Sequence, residues 1–283
     1  MFFLCMAILC SVVWSTSYKT ATDRGCRPLR ILPPVGFCSL GAVLLLTGFF
    51  LTFSFHSTAA ALGCTAGFCH YFAVLSFFFL IRRGARLGIS WTVITLAMIV
   101  PTAVSVAVWR EIPSNLQWIA LILAVAGIVL LGTGRAGGIE ARKMEKRDII
   151  LLGTAFLLSS GGLTLQKTLI GLDLGIYRGI YLISVYGTSF IISCIGCVIA
   201  GGFPSRRESL MGGLMGLGGA GNNWFLLLAL SSLPGPVVFP FETCGSFILT
   251  ILFAFAVFHE KISPRETAGL IVSFCALLLM SIG

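Results

Sequence analysis

Apolar runs alternate along the chain with short clusters of Gly, Pro and charged residues, and ten runs are long enough to cross a bilayer as helices. They cover about Phe2–Tyr18, Val35–Phe55, Thr58–Ile81, Leu87–Trp109, Leu116–Thr133, Ile149–Gln166, Ile176–Gly201, Leu210–Leu230, Pro236–Phe258 and Thr267–Ile282. The connections are short. The longest polar stretch, Arg135 to Asp148, falls in the middle, so the pattern predicts an all-α membrane protein divided there into two halves. The opening MFFLCMAILCSVVW lacks a basic leader and a small-residue cleavage site, and is read as a retained first span.

Composition supports this pattern. Hydrophobic residues make up 57% of the chain and charged residues 10%, with a mean hydropathy of +1.02, whereas a soluble domain carries about a quarter charged residues. The net charge of +9 has a membrane explanation, because Lys and Arg collect in cytoplasmic loops; no nucleic-acid partner is implied. Alternate loops hold 16 Lys and Arg on one side but only Arg110, Lys167 and Arg178 on the other, which places the basic side in the cytoplasm and both termini outside it. Most of the ten Cys sit within apolar runs, where a thiol packs as a small hydrophobe, and the Cys194–Cys197 pair is read the same way.

The halves repeat one another. WREIPSNLQWIALILAVAGIVLLG from Trp109 aligns with FHEKISPRETAGLIVSFCALLLMSIG from Phe258, matching Glu111 to Glu260 at a spacing of 149 residues. Lys19-Thr20 ends the first span and Lys167-Thr168 the sixth, 148 residues on. Five spans per copy make the second copy inverted in the membrane, the plan of many secondary transporters. The divisions are a first repeat over 1–134, a basic cytoplasmic linker over 135–147 and a second repeat over 148–283.

This five-plus-five arrangement, with Val100-Pro101, Glu111 and Ala120 to Gly132 answered by Pro240, Glu260 and Gly269 to Met280, resembles the ten-span EamA-like members of the drug/metabolite transporter superfamily. The likeness covers nearly the whole chain. It departs where Arg110 or His259 replaces the Gly expected before the acid, and where Thr250, not Pro240, is equivalent to Pro101. It implies an alternating-access carrier whose central cavity is lined by the first, third, fourth, sixth, eighth and ninth spans.

Within the apolar runs, Glu242 stands out, since a carboxylate at mid-membrane costs roughly 2.5 to 3.5 kcal/mol unless it faces protein or a wet cavity. It lies about six residues, or roughly 9 Å, inside the ninth span; Asn222, Asn223 and Trp224 lie about seven residues, or roughly 10 Å, from the same end of the eighth. The two groups can meet. Successive residues on a helix point about 100° apart, so one Asn can face a cavity while the other joins helices. Glu242 is a proton-coupling group, a counter-charge for a cationic substrate, or a structural partner of Lys167. His70, beside Tyr71, is a helix-joining or a titrating residue. Trp14 and Ser17 can face the cavity from the first span, and Trp224 can stack on a substrate cation. Tyr177, Tyr181, Tyr186, Trp91, Trp109 and Trp118 are assigned to interface belts or lipid-facing packing. Gly212 and Gly216 permit close helix approach, and Glu111 and Glu260 are expected to cap the helices that follow them or to hold loops in place.

Together these features predict a secondary transporter of a small polar metabolite, an amino acid or related compound, exporting it across the cell membrane by alternating access. Uptake of a cationic or amine-bearing nutrient or drug-like cation is the alternative. A membrane-embedded enzyme is a further reading, although His56, His70 and His259 are dispersed without metal-ligand spacing. No cofactor is implied. The expected partners are the solute, protons as a coupling ion and the lipid bilayer, with the chain a monomer or homodimer.

Overall fold

A computed structural model describes residues 1–50, 54–85, 87–134, 145–258 and 263–282. His259, Glu260, Lys261, Arg86 and most of the expected linker lie outside the described residues. The fold is all-helical: α1 (Phe2–Asp23), α2 (Pro28–Phe50), α3 (Ser57–Arg82), α4 (Leu87–Thr95), α5 (Ile99–Trp109), α6 (Asn115–Gly134), α7 (Lys146–Gly171), α8 (Arg178–Ile199), α9 (Arg206–Leu230), α10 (Gly235–Phe258) and α11 (Pro264–Ile282).

Among the described residues, eight helical segments are long and apolar enough to cross a membrane: α1, α2, α3, the α4–α5 unit, α7, α8, α10 and α11. Two expected spans are not among these eight. α6 runs over 20 residues, of which Asn115–Leu131 are its described apolar stretch, whereas α9 is 25 residues long but starts with Arg206, Arg207 and Glu208 and is rich in Gly.

Local chemistry sets where the helices begin and break. Ser205 and Glu208 cap α9 reciprocally, with backbone–side-chain bonds of 2.8 and 3.3 Å, and Glu145 with Asp148 does the same for α7. The expected span from Leu87 is two helices. Pro101 has no N–H to offer Ala97, four residues back, and the backbone tightens into a 3₁₀ turn over Leu96–Met98. The Ala97 carbonyl instead accepts the Ser160 hydroxyl of α7 at 3.3 Å.

Packing places α1 on α9 and α10, α2 on α8 and α9, α3 on α7 and α8, and α6 on α11. Lipid tails offer helices little hydrophobic drive to associate, so close van der Waals contact and interhelical hydrogen bonds must hold them. The Gly-rich stretch of α9 supplies both. A Cβ on Gly216 would sit 2.5 Å from the Val35 carbonyl of α2, and the Gly216 carbonyl accepts the Ser39 hydroxyl at 2.9 Å. On another face of α9, a Cβ on Gly218 would come within 2.7 Å of the Trp14 backbone nitrogen of α1. Both α1 and α2 therefore ride against bare backbone, and α9 holds them around a central gap.

Candidate functional site

That gap is a cavity of about 280 Å³ bordered by α1, α3, α4, α7, α8, α9 and α10. It touches three separate clusters of buried apolar side chains, through Phe247, Phe77 and Tyr181. The expected lining helices are all present, with α8 in addition.

Glu242 and Asn222 meet across the α9–α10 contact. The Asn222 amide donates to Glu242 Oε1 at 2.8 Å and to the Ala7 carbonyl of α1 at 3.0 Å. Ser11 and Thr243 line the cavity beside the carboxylate. Asn223 serves other neighbours, as its helical offset requires. Its amide donates to Tyr186 Oη at 2.6 Å and to the Gly219 carbonyl at 3.1 Å, and its carbonyl oxygen accepts from Gln166 of α7. Tyr186 passes a further bond to the Gly219 carbonyl at 2.9 Å. Two polar groups thus stand at successive positions of α9, one reaching α7 and α8 through Asn223 and the other α1 and α10 through Asn222, and both Asn residues line the cavity. His70 lines it from α3, its ring edge-on to Tyr186 with centroids 6.1 Å apart.

Trp14, Trp91 and Phe77 form a second wall. Their rings pack at 5.6 Å between the two Trp and 5.4 Å between Phe77 and Trp91, over a buried Tyr18. Nearby, the Ser15 and Thr250 hydroxyls share a hydrogen bond of 2.8 Å that joins α1 to α10. Among the described lining residues there is one carboxylate, Glu242, and no Lys or Arg.

Glu242, Asn222, Asn223, His70 and Trp14 are therefore brought together. Trp224 and Ser17 do not line the cavity, and Tyr71 lines a small adjoining pocket that shares Trp14, His70 and Val74 with it. Trp224 is buried among apolar side chains of α8 and α9, and its ring is covered by the Arg178 guanidinium at 5.8 Å. Tyr71 lies against Gly196 of α8, and Ser17 is turned into packing on α1. Lys167 is not the partner of Glu242: its ammonium bonds Glu111, whose other oxygen accepts the Gly235 N–H at 2.8 Å. Glu111 accordingly caps α10. The helix that follows it, α6, is capped by Ser114 and Gln117 at 3.2 and 3.0 Å. Tyr181 and Tyr186, assigned to an interface belt, are fully buried, and Trp91 faces the cavity. Gln166 is the principal lining residue that sequence reasoning passed over; its place at the same depth as Asn223 on an adjoining helix was the available signal.

No family model matches the chain, and no curated protein matches it. A protein crystal structure superposes on 99% of this chain and 96% of its own with a TM-score of 0.78 at 14% identity, a likeness of fold alone.

Proposed function

We propose that the chain is a secondary carrier that moves a small polar metabolite across the cell membrane by alternating access, in the export direction. Amino acids and their amine relatives are the first solutes to try. The observation that carries this reading is a cavity among apolar helices that holds Glu242, Asn222 and Asn223 and is bordered by elements from both halves of the chain. In this reading α6 and α9 also cross the membrane, giving ten spans in two inverted repeats, as in the EamA-like carriers that the sequence resembles. At about 1.5 Å per residue α9 is long enough, and its glycines lower its hydropathy without making it polar.

The packing supports the repeat. Exchanging the halves turns α1 on α9 into α7 on α3, α2 on α9 into α8 on α3, and α1 on α10 into α7 on α5, and all of these contacts occur. The self-paired contacts, α2 with α8 and α6 with α11, occur as well. Such a plan places two similar bundles around one site and lets one rock against the other. The break before Pro101 offers a place for α4 and α5 to move separately.

Counterflow in proteoliposomes tests the proposal, with amino acids, amines, nucleosides and sugars as trapped and external solutes. Saturable exchange of one class, reduced at least tenfold by Glu242→Gln in a protein that still melts cooperatively, is the expected result. Absence of exchange with every class from folded protein sinks the carrier reading.

A further inference from the structure

The geometry points to a small protonated amine with an apolar or aromatic body as the solute of this cavity. This rests on the carrier reading for why the cavity exists. Three observations give the class. First, the described lining residues include Glu242 but no Lys or Arg, so an anionic group on a solute would meet no compensating charge. Second, the polar end is rich in acceptors: both N–H groups of Asn222 are already spent on Glu242 and Ala7, leaving its carbonyl oxygen. Gln166, 7% exposed, has its carbonyl Oε1 buried without a hydrogen-bond partner. Acceptors of this kind call for a ligand that donates, and an ammonium brings up to three N–H groups with its charge. Third, position along the helices separates the two ends. Glu242, Asn223 and Gln166 lie toward the ends of their helices near Gly235, Leu230 and Gly171, whereas Trp91 and Phe77 lie toward the opposite ends, near Leu87 and Arg82. Trp14 joins that aromatic wall. The cavity therefore has a carboxylate–amide end and an aromatic end.

Size narrows the class. A cavity of about 280 Å³ is at the small end for ligand pockets and takes a solute of small-metabolite size. An arylethylamine fits that description. An amino acid adds a carboxylate for which the lining offers no cation.

The test uses the purified full chain and four probes that share one phenyl body: 2-phenylethylamine, 2-phenylethanol, phenylacetate and phenylalanine. Binding is read by calorimetry and by thermal stabilisation, and counterflow is measured with the same probes. The amine is expected to bind at least tenfold more tightly than the alcohol, anion or zwitterion. Glu242→Gln removes that preference, and Asn222→Asp in the same chain restores part of it, because the new carboxylate stands at the other end of a 2.8 Å hydrogen bond. Trp91→Leu weakens the amine several-fold without changing the order of the probes. Phenylalanine or phenylacetate bound as well as the amine overturns the amine class and leaves the carrier reading standing. No binding of the amine at millimolar concentration overturns it too, as does a preference that survives Glu242→Gln. Selective binding lost in Glu242→Gln, with no counterflow of these probes or of any other solute class, supports the amine site and overturns the carrier.

Discussion

Lys167 is among the largest fully buried side chains of the molecule, and a desolvated ammonium costs several kcal/mol unless it is compensated. Glu111 compensates it, with the Trp109 ring 5.7 Å from the ammonium. Glu111→Gln is expected to destabilise the fold by about 3 kcal/mol because it strands the charge, while Lys167→Met added to it recovers most of the loss. A double-mutant cycle on thermal unfolding checks this, and a coupling energy near zero would remove the pair from any structural role. At this scale the sequence was partly legible. Counting depth along the spans brought Glu242 near Asn222, since helical rise is regular and the connecting turn is short. It could not tell which nearby cation goes with which acid: Lys167 and Glu111 come from helix ends whose sideways placement no local pattern encodes. Trp224 misled because a Trp beside two Asn reads alike whether its face meets a cavity or Arg178.

Among the elements, α9 does the most to place the others. Gly216→Ala forces a Cβ against the Val35 carbonyl, backbone that cannot turn aside, and a loss of roughly 1–3 kcal/mol is expected from overpacking. Thermal melting of the variant measures it; an unchanged midpoint would mean that α2 can back away freely. The start of α9 has a separate dependence on acid. Burial pushes the Glu208 carboxyl up, but the N–H groups of Ser205 and Arg27, the Ser205 hydroxyl and nearby Arg30 outweigh it and hold the group below the usual carboxylate range. The unfolded chain then takes up the proton first as pH falls. The contribution of Glu208 is complete above the ordinary carboxylate value and is lost as pH drops through the depressed one. Melting against pH should show a fall in the wild type over that acid window and a shallower one in Glu208→Gln, with Ser205→Ala costing about 1 kcal/mol near neutrality. Parallel curves would exclude the carboxylate. The close-approach role of the glycines could be read from their spacing, and a Pro inside a helical run removes a backbone donor wherever it stands. That Ser160 takes the carbonyl released by Pro101 depends on a helix more than fifty residues away, beyond any local rule.

For the whole molecule, the distribution of Lys and Arg puts both termini outside the cytoplasm on the proposed topology. An epitope fused after the last residue should be reached by antibody on intact cells; detection only after permeabilisation would reverse the orientation and, with it, the direction assigned to the carrier. The helical class and most spans followed from hydropathy alone, because the bilayer admits few ways to satisfy a backbone. The length of its apolar run placed α9 among the expected spans, whereas its glycines and its charged start leave it less apolar than the other spanning helices, which is why α9 departs from expectation. The contact of α6 with α11 has one more consequence. A Cβ on Gly127 of α6 would meet Ser273 of α11, and one on Gly269 of α11 would meet Leu131 of α6, while Ala120 and Met280 share one cluster. Each helix presents bare backbone where the other presents a side chain, as two like subunits do across a twofold axis. On the proposed repeat, a chain severed between its halves would carry one side of this seam on each fragment, so that the two fragments are expected to associate through it.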